Sequence, residues 1–168
     1  MTQVLKTMNT PSGLCFGDIL ETSQIILIGG SETTATLLSG VTHYLLTNPS
    51  KLQKLIDEVR DAFETDADIT MASVSKLDYC LAVLNEGLRM YPPVPGNLRR
   101  ITSPEGRMIG GVFVPGGVFV AVDLWAAGRS ASNFKRAEEF IPERWMGDVE
   151  FESDNRKVIQ VRSFAHLQ

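Results

Sequence analysis

Three short stretches hold the residue types that could do chemistry. In the first, Gly29-Gly30 is followed by Ser31-Glu32-Thr33-Thr34, with Thr36 close behind. An acid beside an alcohol can hold and pass protons. In the second, Glu86 and Arg89 lie three residues apart and so share one face of a helix. Alone, that pair reads as a surface ion pair contributing less than about 1 kcal/mol. The third, Pro142-Glu143-Arg144, brings a second arginine behind a fixed turn. An arginine between two carboxylates makes a buried charged network, because its planar fork suits bidentate pairing.

The elements that must position these residues are mostly helical. Apolar residues from about Asp18 to Leu46 predict one long helix, with Asp18 as its N-cap and Asn48-Pro49 as its stop. At nearly thirty residues it would be roughly 40 Å long, and its several apolar sides predict burial through a domain. Gly29-Gly30 costs this helix up to about 2 kcal/mol relative to Ala-Ala. Two readings are open. Either the helix opens locally and turns Glu32 and Thr33 toward a cavity, or the glycines make a helix–helix contact and the hydroxyls are satisfied within the helix.

A second helix begins at Pro49. Leu52, Leu55, Ile56, Val59 and Phe63 form its apolar face, and Lys51, Lys54, Asp57, Glu58 and Asp61 its polar face. A short helical piece follows Thr70, and another helix runs from near Asp78 to Met90, before Pro92-Pro93. Strands are expected at Met108–Val114 and Val118–Val122, flanking a turn at Pro115-Gly116-Gly117. The segment from Ala137 to Trp145 should begin helically and turn irregular at Pro142. The expected fold class is mainly α with a small β part, in a single partial domain over 1–168. Its parts are the long helix (18–47), the following helices (49–91), short strands (98–122) and a final segment (123–168).

Composition narrows the function. The 168 residues are 43% hydrophobic and 21% charged, which is a globular balance. The net charge is −4 with no run of Lys or Arg, which argues against a nucleic-acid partner. Cys15 and Cys80 are far apart, so reduced thiols are expected rather than a disulfide or a zinc site. His43 and His166 have no metal-ligand spacing, and no metal site is expected from side chains alone. Phosphate-loop, dinucleotide-binding and nucleophile-elbow motifs are all missing. The most apolar run, Ile25 to Ile28, is four residues long, against roughly twenty for a spanning helix. Neither a signal peptide nor a membrane anchor is therefore expected in the sequence as given.

Taken in order, these segments resemble the cytochrome P-450 (haem-thiolate monooxygenase) family, fungal microsomal type. Gly29-Gly30-Ser31-Glu32-Thr33-Thr34 is similar to the family's [AG]-G-x-[DE]-T-[TS] on the long helix over the haem. Glu86-Gly87-Leu88-Arg89 is similar to its E-x-x-R, and Met90-Tyr91-Pro92-Pro93-Val94-Pro95 to the usual continuation. Gly116-Gly117-Val118 and Trp125-Ala126-Ala127-Gly128-Arg129-Ser130 resemble its next strand and turn, and Phe140-Ile141-Pro142-Glu143-Arg144-Trp145 its F-x-P-E-R-[FW].

The resemblance implies a partial cytochrome P-450 fold with haem as cofactor. It implies that Gly29 and Gly30 let the helix lie close to the haem, and that Glu32 and Thr33 deliver protons to bound dioxygen. Glu86, Arg89 and Arg144 would form a structural triad, Arg100 would meet a haem propionate, and Val94 and Pro95 would line the substrate pocket. An NADPH-dependent reductase, a small organic substrate and the endoplasmic reticulum membrane are the family's expected partners and location. In the family a loop F-x-x-G-x-R-x-C-x-G then supplies the iron's cysteine. Here Val161-Arg162 stands where Pro-Phe is usual, and Ala165-His166-Leu167-Gln168 departs from the loop. The expectation is a fragment without its iron ligand, inactive as it stands. The alternatives are a truncated paralogue acting as an interaction protein, and haem held through His43 or His166.

Overall fold

The computed structural model describes residues 15–96 and 98–159. Five helices dominate it: α1 Phe16–Thr47, α2 Pro49–Ala62, α3 Met71–Val74, α4 Asp78–Met90 and α5 Leu124–Arg129. Four short strands, β1 Arg100–Ile101, β2 Arg107–Ile109, β3 Val112–Val114 and β4 Phe119–Val120, form two antiparallel pairs. Single turns of 3₁₀ helix follow, among them Pro142–Trp145 and Val149–Phe151. The chain divides into two compact units between Thr36 and Leu37.

In the first unit, α1 starts two residues before the expected Asp18 N-cap. Cys15 takes the cap position. The Asp18 N–H donates to Cys15 Sγ at 3.5 Å, and the Asp18 carboxylate accepts from the Cys15 N–H at 3.0 Å. This reciprocal pair satisfies two of the amides that a helix N-terminus leaves without partners. Hydrogen bonding from the Cys15 side chain, then from its backbone N–H, holds the Asp18 carboxyl below its ordinary value.

α1 is continuous through Gly29-Gly30, not opened. The hydroxyls of Ser23, Ser31 and Thr33 donate to the carbonyls of Ile19, Leu27 and Gly29, each four residues back, at 2.6–2.7 Å. Back-bonding of this kind satisfies a mid-helix hydroxyl without breaking the backbone ladder. The burial expected for the whole helix does not hold here, because Ile25 to Ile28 are 63–70% exposed. By length and composition α1 is apolar enough to cross a membrane, which the four-residue run alone does not indicate. A helix covered by a larger body has the same composition.

The second unit is built around α4. Tyr79, Val83 and Met90 of α4 pack with Val41 and Leu45 of α1 and with Phe140, and Leu52 and Leu55 of α2 close the cluster. Gly87 makes the α1–α4 approach possible, since a Cβ there would lie 2.3 Å from Val41 Cγ2. Asn48 ends α1 by donating from Nδ2 to the Tyr44 carbonyl at 2.8 Å. Thr70 and Ser73 cap α3 reciprocally.

Local chemistry corrects several sequence expectations in this unit. Met108–Val114 is not one strand. Gly110 and Gly111 both have positive φ, 57° and 83°, and fold it into the β2–β3 hairpin, because two consecutive left-handed residues suit the tight turn that right-twisted strands need. Pro115-Gly116-Gly117 therefore does not join two paired strands. It carries the chain to β4, which pairs with β1. Residues 124–129 are the helix α5 rather than a turn, because the Asp123 carboxylate accepts the Ala126 N–H at 2.9 Å as an N-cap. Ala137 lies in a turn, and regular structure begins only at Pro142, where proline suits the first position of a helical turn.

Candidate functional site

Glu86, Arg89 and Arg144 are brought together in the second unit, each with 0% of its surface exposed. The carboxylate of Glu86 accepts five hydrogen bonds. Arg89 donates from Nε at 2.9 Å and from Nη2 at 2.8 Å, and Arg144 from Nε at 3.1 Å. The Ile141 N–H donates at 2.7 Å and Trp145 Nε1 at 2.9 Å. Helical spacing gives the first pair, and the 3₁₀ turn at Pro142 delivers the rest.

Arg89 uses all five N–H groups of its fork. Beyond Glu86 it donates to the carbonyls of Gly128 and Ala137, both at 2.6 Å, and of Glu139 at 2.8 Å. Arg144 donates to the Lys135 carbonyl at 3.1 Å and pairs with Asp154. Both guanidinium groups lie against buried rings. Arg89 is 5.1 Å from the Phe134 centroid, and Arg144 is 4.6 Å from that of Phe151. Gly128 is needed here, since a Cβ would meet the Arg89 carbonyl oxygen at 2.5 Å.

Glu143 faces away from this network. It pairs with Lys54 at 3.1 Å and Lys51 at 3.5 Å and accepts from the Tyr79 hydroxyl at 3.4 Å. Burial works against its charged form, but its own backbone amide and the two ammonium groups outweigh that and hold its carboxyl below the usual range. Burial, reinforced by the negative Glu143, pushes the Tyr79 phenol well above its ordinary value. Glu58 accepts the Tyr79 and Cys80 N–H groups at 2.7 and 2.8 Å, so α2 caps the start of α4. Sequence reasoning placed Glu58 on a solvent face, and it missed Asp154 altogether.

The other candidate residues lie elsewhere. Glu32 is exposed and Thr33 half-buried, with Thr33 Oγ1 donating to the Gly29 carbonyl at 2.7 Å. A Cβ at Gly29 or Gly30 would meet nothing within 4 Å among the described residues outside its own helix. Arg100, in β1, is exposed and donates to the Arg99 carbonyl at 3.1 Å. Val94 is 43% exposed, and Pro95 is exposed. His43 stands edge-on to Tyr44, and His166 lies outside the described residues.

The cytochrome P450 family model matches residues 1–166. The chain belongs to that family. It is 46% identical over 95% of its length to cytochrome P450 monooxygenase lcsI of Purpureocillium lilacinum, covering 31% of that protein. It is 46% identical over 94% of its length to averantin hydroxylase of Dothistroma septosporum, covering 30% of it. With cytochrome P450 monooxygenase aclL of Aspergillus oryzae the figures are 44%, 98% and 33%. The chain thus spans about a third of the length of the curated relatives it matches.

Haem, the cofactor of this family, is a flat apolar disc with carboxylates at its rim and an iron that needs an axial donor. The bare glycine face of α1 suits the disc. Cys80 does not suit the iron, because burial together with Glu58 raises its thiol, which keeps it protonated and a poor metal ligand.

Proposed function

We propose that this chain is part of a haem-dependent monooxygenase of fungal secondary metabolism, which inserts one atom of dioxygen into a small organic substrate. The observation that carries the reading is the bare Gly29-Gly30 face beside Glu32 and Thr33 on an apolar helix. Haem, when bound, supplies the dioxygen chemistry. The residues of this chain would hold it and handle protons.

Gly29 and Gly30 would let the disc lie against the helix backbone. Thr33 Oγ1 donates its own hydrogen to Gly29, so its lone pairs stay open to accept a proton from a neighbouring donor. The exposed Glu32 carboxylate would exchange protons with water. Arg100 would pair with a propionate, and Val94 and Pro95 would line the substrate side. Glu86, Arg89 and Arg144 would hold the fold and take no direct part. A relative named averantin hydroxylase supports oxygen insertion into an organic molecule. Membership of the family supports an NADPH-dependent reductase as electron partner and the endoplasmic reticulum membrane as location.

Haemin titration into the 168-residue chain, followed by Soret absorbance, tests this reading. The native chain is expected to bind, and Gly30→Leu to weaken binding at least about tenfold, equivalent to about 1.4 kcal/mol. Equal affinity in both would contradict the proposal. Under dithionite and carbon monoxide, no thiolate-type band is expected from these 168 residues. Such a band would mean that Cys15 or Cys80 reaches the iron.

A further inference from the structure

Two guanidinium ions, Arg89 and Arg144, share the single carboxylate of Glu86 in an interior with no exposed surface. One negative charge cannot neutralise both, and an uncompensated buried ion is strongly destabilising. The missing charge comes from Asp154. One of its carboxylate oxygens accepts from Arg144 Nη1, and the other accepts the Lys135 N–H at 2.8 Å. Three residues earlier, Phe151 is 1% exposed and lays its ring against the same guanidinium at 4.6 Å. The backbone between them is a tight turn, with the Asp154 N–H donating to the Phe151 carbonyl at 3.1 Å. Next to it, the Asn155 N–H donates to the Asn133 carbonyl at 2.7 Å.

We propose that Phe151-Glu152-Ser153-Asp154 is a clamp on Arg144, with the ring on the guanidinium face, the carboxylate on its edge, and Asp154 as a positioning residue. The clamp completes a four-charge network of zero net charge and fixes residues 151–155 to the 133–137 turn and, through Arg144 and Glu86, to α4. It depends only on the chain's own charges, so it goes beyond the monooxygenase reading and stands or falls apart from haem binding.

A double-mutant cycle in the full chain, read by urea unfolding, tests the clamp. Asp154→Ala is expected to lower the folding equilibrium constant by about 100-fold or more. In an Arg144→Met background the same change should lower it by less than about fivefold, or raise it, because the charge it balanced is gone. Amide exchange supplies a second readout. Asp154→Asn keeps an acceptor for the Lys135 N–H but carries no charge. It should restore Lys135 protection without restoring the folding constant. If Asp154→Ala does not fold, Asp154→Asn replaces it in the cycle with the same criterion. Equal losses in both backgrounds, or full recovery of the folding constant by Asp154→Asn, would overturn the proposal.

Discussion

Glycines in two helices of this chain do opposite things. In α4, Gly87 is filled space, where an added Cβ would strike Val41 at 2.3 Å. In α1, Gly29 and Gly30 are open space, with nothing among the described residues within 4 Å of an added Cβ. The surroundings divide in the same way. Around α4, Glu86, Arg89 and Arg144 are buried and matched inside the chain, and Glu86 alone accepts five hydrogen bonds. Along residues 25–33 of α1 the apolar side chains are exposed, and the Ser31 and Thr33 hydroxyls donate back to their own helix. One region holds the fold, and the other presents a surface that costs stability without a return from the described residues. That asymmetry separates a supporting network from the face proposed above to meet the haem.

The contrast is sharpest at Glu86. Glu86→Ala leaves two buried guanidinium groups short of an acceptor, and a loss of about 3–5 kcal/mol is expected in urea unfolding. A loss below about 1 kcal/mol would show that the network is not what holds the second unit. Glu58→Ala removes the cap of α4 and should cost about 1 kcal/mol by the same assay.

The pH dependence follows from Glu143, whose carboxyl is held below its ordinary 4.5. A carboxyl lowered on folding contributes stability above its unfolded value, and that contribution is lost as pH falls through the folded one. Stability should therefore drop on acidification below about pH 4.5, and Glu143→Gln should flatten that slope. At the other region, Thr33→Val should leave the unfolding free energy within about 0.5 kcal/mol, because the lost hydrogen bond is a local one on a half-exposed side chain. A larger loss would mean that Thr33 serves the fold.

Much of this was legible in the sequence. The helix from Asp78 to Met90 was bounded by Pro92-Pro93, and the i,i+3 spacing put Glu86 and Arg89 on one face. The spacing could not distinguish a surface pair from a buried one, because burial is decided by segments some fifty residues away in sequence. Asp154 escaped for the same reason, since only the folded turn after Phe151 brings its carboxylate to Arg144. Glu58 was misread because amphipathic patterning counts every charge as solvent-facing, and a carboxylate that caps a neighbouring helix has the same periodicity. Met108–Val114 reads as one strand from its apolar and β-branched residues, whereas Gly110 and Gly111 at positive φ make it a hairpin. The burial of α1 was over-predicted because an apolar helix looks the same in sequence whether its cover belongs to the chain or to another body.

The central claim is that Gly30 is kept open for another body while Gly87 is filled from within. Urea unfolding of Gly30→Ala and Gly87→Ala, side by side, tests it most directly. Gly30→Ala should raise stability by about 0.5–1 kcal/mol, the usual gain in a helix interior. Gly87→Ala should lower it by about 1–3 kcal/mol through overpacking against Val41. A loss at Gly30 as large as that at Gly87 would show that the α1 face is already packed, and would contradict the account.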